Sequence, residues 1–248
     1  MLKNILNLIY PRKCIFCKTI LNVNKTKNDY ICNKCISSLP LVDLPLVSRK
    51  NKDIDNNINN RIYFFDDCIS SFYYEPPITR AICDFKFHDK KSYAYIFSDY
   101  IIKNIVKFYI NINFDFISYI PMYKSREKDR GFNQAKLLAK EISKKIKIPL
   151  KDLIIKIKNN DPQHNLPLKL RKINIQNVYD FSHKQNINQK TILLIDDIIT
   201  SGFTLNEASK ILKTHGAKKV YCATIATTKV KNKYSLLTYL INEKIINE

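Results

Sequence analysis

The chain has 248 residues, of which 45% are hydrophobic and 26% charged, with a formal net charge of +20. That apolar content supports one ordinary domain plus a small appendage and argues against disorder. Only three glycines occur, Gly131, Gly202 and Gly216. Neither a P-loop nor a G-x-G-x-x-G fingerprint can be written with them, which excludes the ATPase and NAD-enzyme readings.

Residues 1–10 carry apolar side chains at helical spacing with no cleavage site after them. They read as a short docking helix in a cytoplasmic protein. The apolar runs, such as Thr191–Ile195, fall far short of the roughly 18 residues a membrane helix needs, so no membrane insertion is expected. Four of the seven cysteines form two pairs, Cys14/Cys17 and Cys32/Cys35, in the pattern C-x2-C-x14-C-x2-C. This is the spacing of a tetrahedral zinc site, and four thiolates fill the coordination sphere, so the expected Zn²⁺ is structural. Such sites supply about 10–16 kcal/mol in peptides, enough to fold a module of this size. Cys68, Cys83 and Cys222 sit in apolar stretches and read as core residues.

Ser48–Asn60 is polar and reads as a surface linker. Arg61–Tyr74 is rich in aromatic and β-branched residues and is broken by Pro76-Pro77. Ile78–Lys86 and Tyr93–Tyr109 have helical spacing. A strand is predicted over Phe114–Ile120 and a helix over Phe132–Lys145, with Leu137, Leu138 and Ile142 on one face. Gln189–Ile195 is a continuous apolar strand of the kind buried on both sides. Thr204–His215 reads as a helix ended by Gly216, and Lys219–Ile225 as a further strand. The last half of 229–248 looks helical. Alternating strands and helices imply a doubly wound, mainly parallel α/β sheet.

The strongest local signal is the run from Ile192 to Thr204. Asp196 and Asp197 end the buried strand at its carboxyl edge, where open α/β sheets bind ligands. A turn of Thr200, Ser201 and Gly202 follows, with a helix opening at Thr204. Hydroxyls and helix-start N–H groups together make an anion cradle. Carboxylates beside such a cradle suit a sugar phosphate, since they can accept from vicinal hydroxyls or hold Mg²⁺. Residues 122–158 add twelve Lys/Arg against four Asp/Glu. The overall charge permits nucleic acid, polyphosphate or acidic membrane as partners. A chain rich in Lys, Asn, Ile and Tyr also fits an AT-rich coding sequence, and both explanations stay open.

Residues 192–204 resemble the phosphoribosyl diphosphate (PRPP) signature of type I phosphoribosyltransferases. Within that superfamily the chain resembles the ComF family, associated with natural competence. The resemblance also rests on the cysteine module, Lys86 in Phe85-Lys86-Phe87, the run Arg130-Gly131-Phe132-Asn133-Gln134, and Gln163, Leu166, Arg171 and Asn174. It implies a phosphoribosyltransferase-like domain over 61–248, with the zinc module over 1–47 and the linker over 48–60. Asp196 and Asp197 would contact the ribose hydroxyls of a Mg²⁺-bound PRPP, and Thr200, Ser201, Gly202, Phe203 and Thr204 would hold its 5′-phosphate. The loop from Pro121 to Arg130 stands where the superfamily grips diphosphate. Its Lys124, Arg126, Lys128 and Arg130 precede a helix start expected at Gly131, and arginine favours bidentate phosphate recognition. Thr200 replaces a carboxylate found in some purine-salvage relatives, which argues against hypoxanthine or guanine chemistry.

Two functional readings follow from the resemblance. In one, the chain binds a PRPP-like sugar phosphate and handles single-stranded DNA during uptake. Its cations would meet strand phosphates, Tyr123 and Phe132 would stack bases, and the zinc module would dock a helicase-like partner or add DNA contacts. In the other, it is an active phosphoribosyltransferase. Lys86, Arg126 and Arg130 would then steady departing diphosphate, and Asp196 and Asp197 the ribose, with an unidentified acceptor under a hood formed by 159–180.

Overall fold

The computed structural model describes residues 11–21, 30–46, 63–159 and 174–229. The predicted N-terminal docking helix, the linker over 48–60, Gln163, Leu166 and Arg171 and nearly all of the C-terminal tail lie outside the described residues.

Four parallel strands form the central sheet: β1 (Asp67–Tyr73), β2 (Phe116–Tyr119), β5 (Thr191–Ile199) and β6 (Lys219–Thr227), in the order β1-β6-β5-β2. The two middle strands are the most apolar, as burial on both faces demands. Side chains alternate across β5. Leu193 and Ile195 enter a core with Phe72, Phe97, Ile117 and Leu138, while Ile192 and Leu194 enter a second core with Val220, Cys222 and Leu212. Helices α2 (Ile78–Phe87), α3 (Tyr93–Phe108) and α5 (Gln134–Ile146) cover the first face. The second is covered by α6 (Phe203–Thr214) and a small antiparallel hairpin of β3 (Ile154–Lys156) and β4 (Tyr179–Phe181). Both sheet edges are protected. Val42 and Leu46 donate backbone bonds to Ser71 and Cys68 beside β1, and Lys151 donates to Ile117 beside β2.

The fold is therefore α/β with a parallel sheet and helices on both faces. Three boundaries differ from the sequence reading. First, β5 runs on to Ile199, so the two aspartates lie inside a strand rather than at its end. β6 continues beside it, pairing Asp196 with Thr224 and Ile198 with Ala226. Second, the segment after β2 is not a loop. Its cations lie on a short helix, α4 (Lys124–Arg130), which ends at Gly131. Gly131 is not a helix start but a left-handed C-cap at φ +83°, its N–H returned to the Glu127 carbonyl. Third, α5 starts two residues later than predicted, because Asn133 is its N-cap and accepts from the Lys136 N–H at 3.2 Å. Phe132 precedes that cap and is buried, with 6% exposure.

The cysteine segment carries α1 (Asn33–Ser38), capped by the Cys32 sulfur. It has no separate core among the described residues. Phe16 is fully buried and packs edge-on against Phe72 and Phe97 of β1 and α3. Lys18 bonds Asp84 of α2, the Tyr93 hydroxyl of α3 (2.9 Å) and the Ile15 carbonyl (3.2 Å). Cys68 and Cys222 are buried as expected, but Cys83 is exposed, because Ile82 and Phe85 take the inward face of α2. No described helix is long and apolar enough to cross a membrane.

Candidate functional site

Helix α5, which follows β2 after α4, and helix α6, which follows β5, lie on opposite faces of the sheet. The chain therefore opens a crevice at the carboxyl ends of those two neighbouring strands, the place where open α/β sheets bind ligands. Pairing of β2 stops at Tyr119 opposite Ile195, so Asp196–Ile199 extend past it with no strand on that side among the described residues.

The structure divides the two aspartates that sequence placed together, because successive strand residues project to opposite faces. Asp196 lines a hollow with Ile198, Ile199, Thr200, Gly202, Thr204 and Leu205. Asp197 turns to the α2 side and pairs with Lys86 at 2.8 Å, both side chains about one-fifth exposed. The two carboxylates still feel each other. Burial first, then the Asp197 charge, pushes the Asp196 carboxyl up to about 8, with Lys86 and Lys156 opposing the rise.

The turn after β5 is built for close approach. Gly202 is the N-cap of α6 at φ +75°, and a Cβ there would lie 3.3 Å from the Tyr63 ring. Ser201 is buried, and its hydroxyl has no hydrogen-bond partner among the described residues. A buried unsatisfied hydroxyl is costly unless something else completes it. The first-turn N–H groups of α6 have no intrahelical acceptor and carry the positive end of the helix dipole. Phe203 does not plug the hollow. Its side chain sits in the core beneath α6, so only its backbone faces a ligand role.

The four cations of α4 separate into two pairs, since residues four apart share a helix face. Lys124 and Lys128 are exposed, whereas Arg126 and Arg130 are partly buried. Arg130 donates to Gln134 Oε1 at 3.0 Å. Desolvation lowers its pKa, with Asp197 opposing and Arg126 adding to the fall. Lys86, Arg126, Arg130 and the two aspartates thus share one charged neighbourhood.

Two participants were missed by the sequence reading. Lys156 on β3 is pulled down to about 8 by burial and by Arg126, with Asp196 opposing. The alternation Ile154 buried, Ile155 exposed would have turned Lys156 inward had β3 been recognised. Tyr74, just past β1, is pushed up by burial and by Cys83, with Lys86 and Asp197 also felt. His88 is a surface residue bonded to Asp84 at 3.1 Å.

The four cysteine Sγ atoms of Cys14, Cys17, Cys32 and Cys35 lie within 4.8 Å of one another, with Cys17 and Cys32 at 3.5 Å. A tetrahedral zinc with Zn–S near 2.3 Å needs sulfurs roughly 3.8 Å apart. The cluster can hold a metal ion of that size.

The parallel sheet, the crevice and the hydroxyl-lined turn define a phosphoribosyltransferase-type domain. The family model described as phosphoribosyl transferase domain matches residues 133–239. Among curated relatives, the chain is 35% identical over 103 residues to Competence protein F of Haemophilus influenzae, covering 41% of this chain and 45% of that protein. It is 26% identical over 151 residues to DNA utilization protein YhgH of Escherichia coli, covering 59% and 66%. It is 28% identical over 147 residues to Competence protein ComFC of Bacillus subtilis, covering 59% and 58%. The matches thus span from under half to about two-thirds of those relatives' lengths. These matches, with the phosphoribosyl transferase domain over 133–239, support an assignment to the ComF family with a phosphoribosyltransferase fold.

Proposed function

We propose that this protein binds a PRPP-like sugar phosphate with Mg²⁺ in the β2/β5 crevice and handles single-stranded DNA during its uptake. The names of the similar proteins, two of competence and one of DNA utilization, support the second half of this reading. The observation that carries the first half is the Lys86–Asp197 pair beside Asp196 and the Ser201 turn. One small crevice offers carboxylates for ribose hydroxyls, an unpartnered hydroxyl with helix-start N–H groups for a monoester, and cations for a diphosphate.

In this arrangement Thr200, Ser201, Gly202, Phe203 and Thr204 hold the 5′-phosphate, the last two at the start of α6. Asp196 and Asp197 reach the ribose from either face of the strand. Asp196 and Asp197 would hold Mg²⁺ with the ligand, and the cation's charge would favour the ionised form of Asp196. Lys86 and Arg130 meet the diphosphate, with Arg126 behind them and Lys156 closing from the β3–β4 side. The cysteine cluster holds a structural Zn²⁺.

The test is displacement of a labelled single-stranded oligonucleotide by Mg²⁺–PRPP, read by fluorescence anisotropy. Mutual exclusion is expected, because Arg126 and Arg130 serve both ligands. Saturable binding of the oligonucleotide that PRPP leaves unchanged would contradict a shared crevice. Release of diphosphate in the same mixture would extend the reading to group transfer.

A further inference from the structure

The sequence reading named Phe132 as a base-stacking residue, and the structure removes it from that role by burying it under α5. Another ring takes the position. Phe87 is the last residue of α2, next to Lys86, and is 61% exposed. The Arg130 guanidinium lies 4.9 Å from its ring centroid. Gln134, which is 1% exposed, accepts from Arg130 and reaches the Lys86 carbonyl at 3.5 Å. The end of α2, the end of α4 and the start of α5 are thereby tied into one rigid corner, with an aromatic face and a guanidinium presented outward.

We infer that Phe87 with Arg130 is a stacking platform for a base of single-stranded nucleic acid, set beside the cations that meet its phosphates. An exposed aromatic ring with an adjacent cation track is how sequence-tolerant single-strand binding is built. Lys124 and Lys128, on the outer face of α4, extend that track beyond what one mononucleotide phosphate requires. Tyr95 is another exposed ring with a cation over it, but its Lys145 is neutralised by Asp99 at 2.7 Å. That corner offers a phosphate no comparable charge. The inference rests on the proposed DNA-handling role and assigns it a residue.

The experiment compares Phe87→Ala and Phe87→Trp with the wild-type chain. The probes are a fluorescein-labelled oligothymidylate and a base-free oligomer of the same backbone length. Phe87→Ala should weaken oligothymidylate binding about tenfold. It should leave the base-free oligomer and Mg²⁺–PRPP unaffected, and Phe87→Trp should restore affinity. Wild-type affinity for oligothymidylate in Phe87→Ala would overturn the platform. A wild-type chain that binds neither oligomer would instead remove the DNA-handling reading, and the platform with it.

Discussion

The carboxyl of Asp196 lines the hollow beside the turn after β5. Raised to about 8 while its unfolded counterpart ionises near 3.8, it binds a proton in the folded state that the unfolded state has released. Its contribution to stability is fully present below pH 4 and is lost as pH rises toward 8, at most about 1.4 kcal/mol per pH unit. Asp196→Asn should therefore melt higher than wild type at pH 8, with the difference shrinking toward pH 4; scanning calorimetry across that range checks it. Asp197 is paired with Lys86 at 2.8 Å. Replacing it leaves a partly buried ammonium unpaired, which should cost about 1–2 kcal/mol of stability, measurable by urea unfolding, without loss of the fold. The aspartate pair was legible in the sequence as a candidate site. Its division between two faces was not, because the predicted strand stops at Ile195 whereas β5 runs to Ile199.

Among elements, α4 and the cysteine segment carry the consequences. The sequence showed four cations in alternate positions, and a helix turns that alternation into an inner arginine face and an outer lysine face. Gly131 was seen, but its role depends on whether the preceding residues are helical, which short charged segments do not reveal. The cysteine spacing was fully legible, whereas the packing of Phe16 and the bonds of Lys18 to α2 and α3 were not. Those contacts join the cysteine cluster to the main core. Cys14→Ser, or treatment of the zinc-loaded protein with a chelator if the cluster takes up zinc as proposed, should lower the melting temperature of the whole described domain in one cooperative transition. Differential scanning calorimetry that shows only a small separate N-terminal transition would place the segment outside the cooperative unit. The Lys18–Asp84 bond also connects the cluster to the helix that carries Lys86. Lys18→Met should thus loosen α2, seen as faster amide exchange over 78–88.

For the whole molecule, order along the chain was enough to expect a parallel sheet between two helical layers, since strands and helices alternate with apolar strands in the middle. Strand order and the crevice required the structure, because they follow from which face each helix takes. Of the +20 charge of the chain, the proposed function uses the part that Arg126, Arg130 and their neighbours would set against a polyanion. Replacing both arginines by alanine should reduce the slope of log affinity for single strands against log salt by about 1.4, at about 0.7 per neutralised phosphate. The most direct test of the account is calorimetric titration of Mg²⁺–PRPP into the wild-type chain and into Asp197→Ala. Saturable binding by the first and at least a tenfold loss in the second, both folded by circular dichroism, is the predicted result. Equal affinity in the two, or no heat with either, would contradict a sugar-phosphate site at the carboxyl edge of β5.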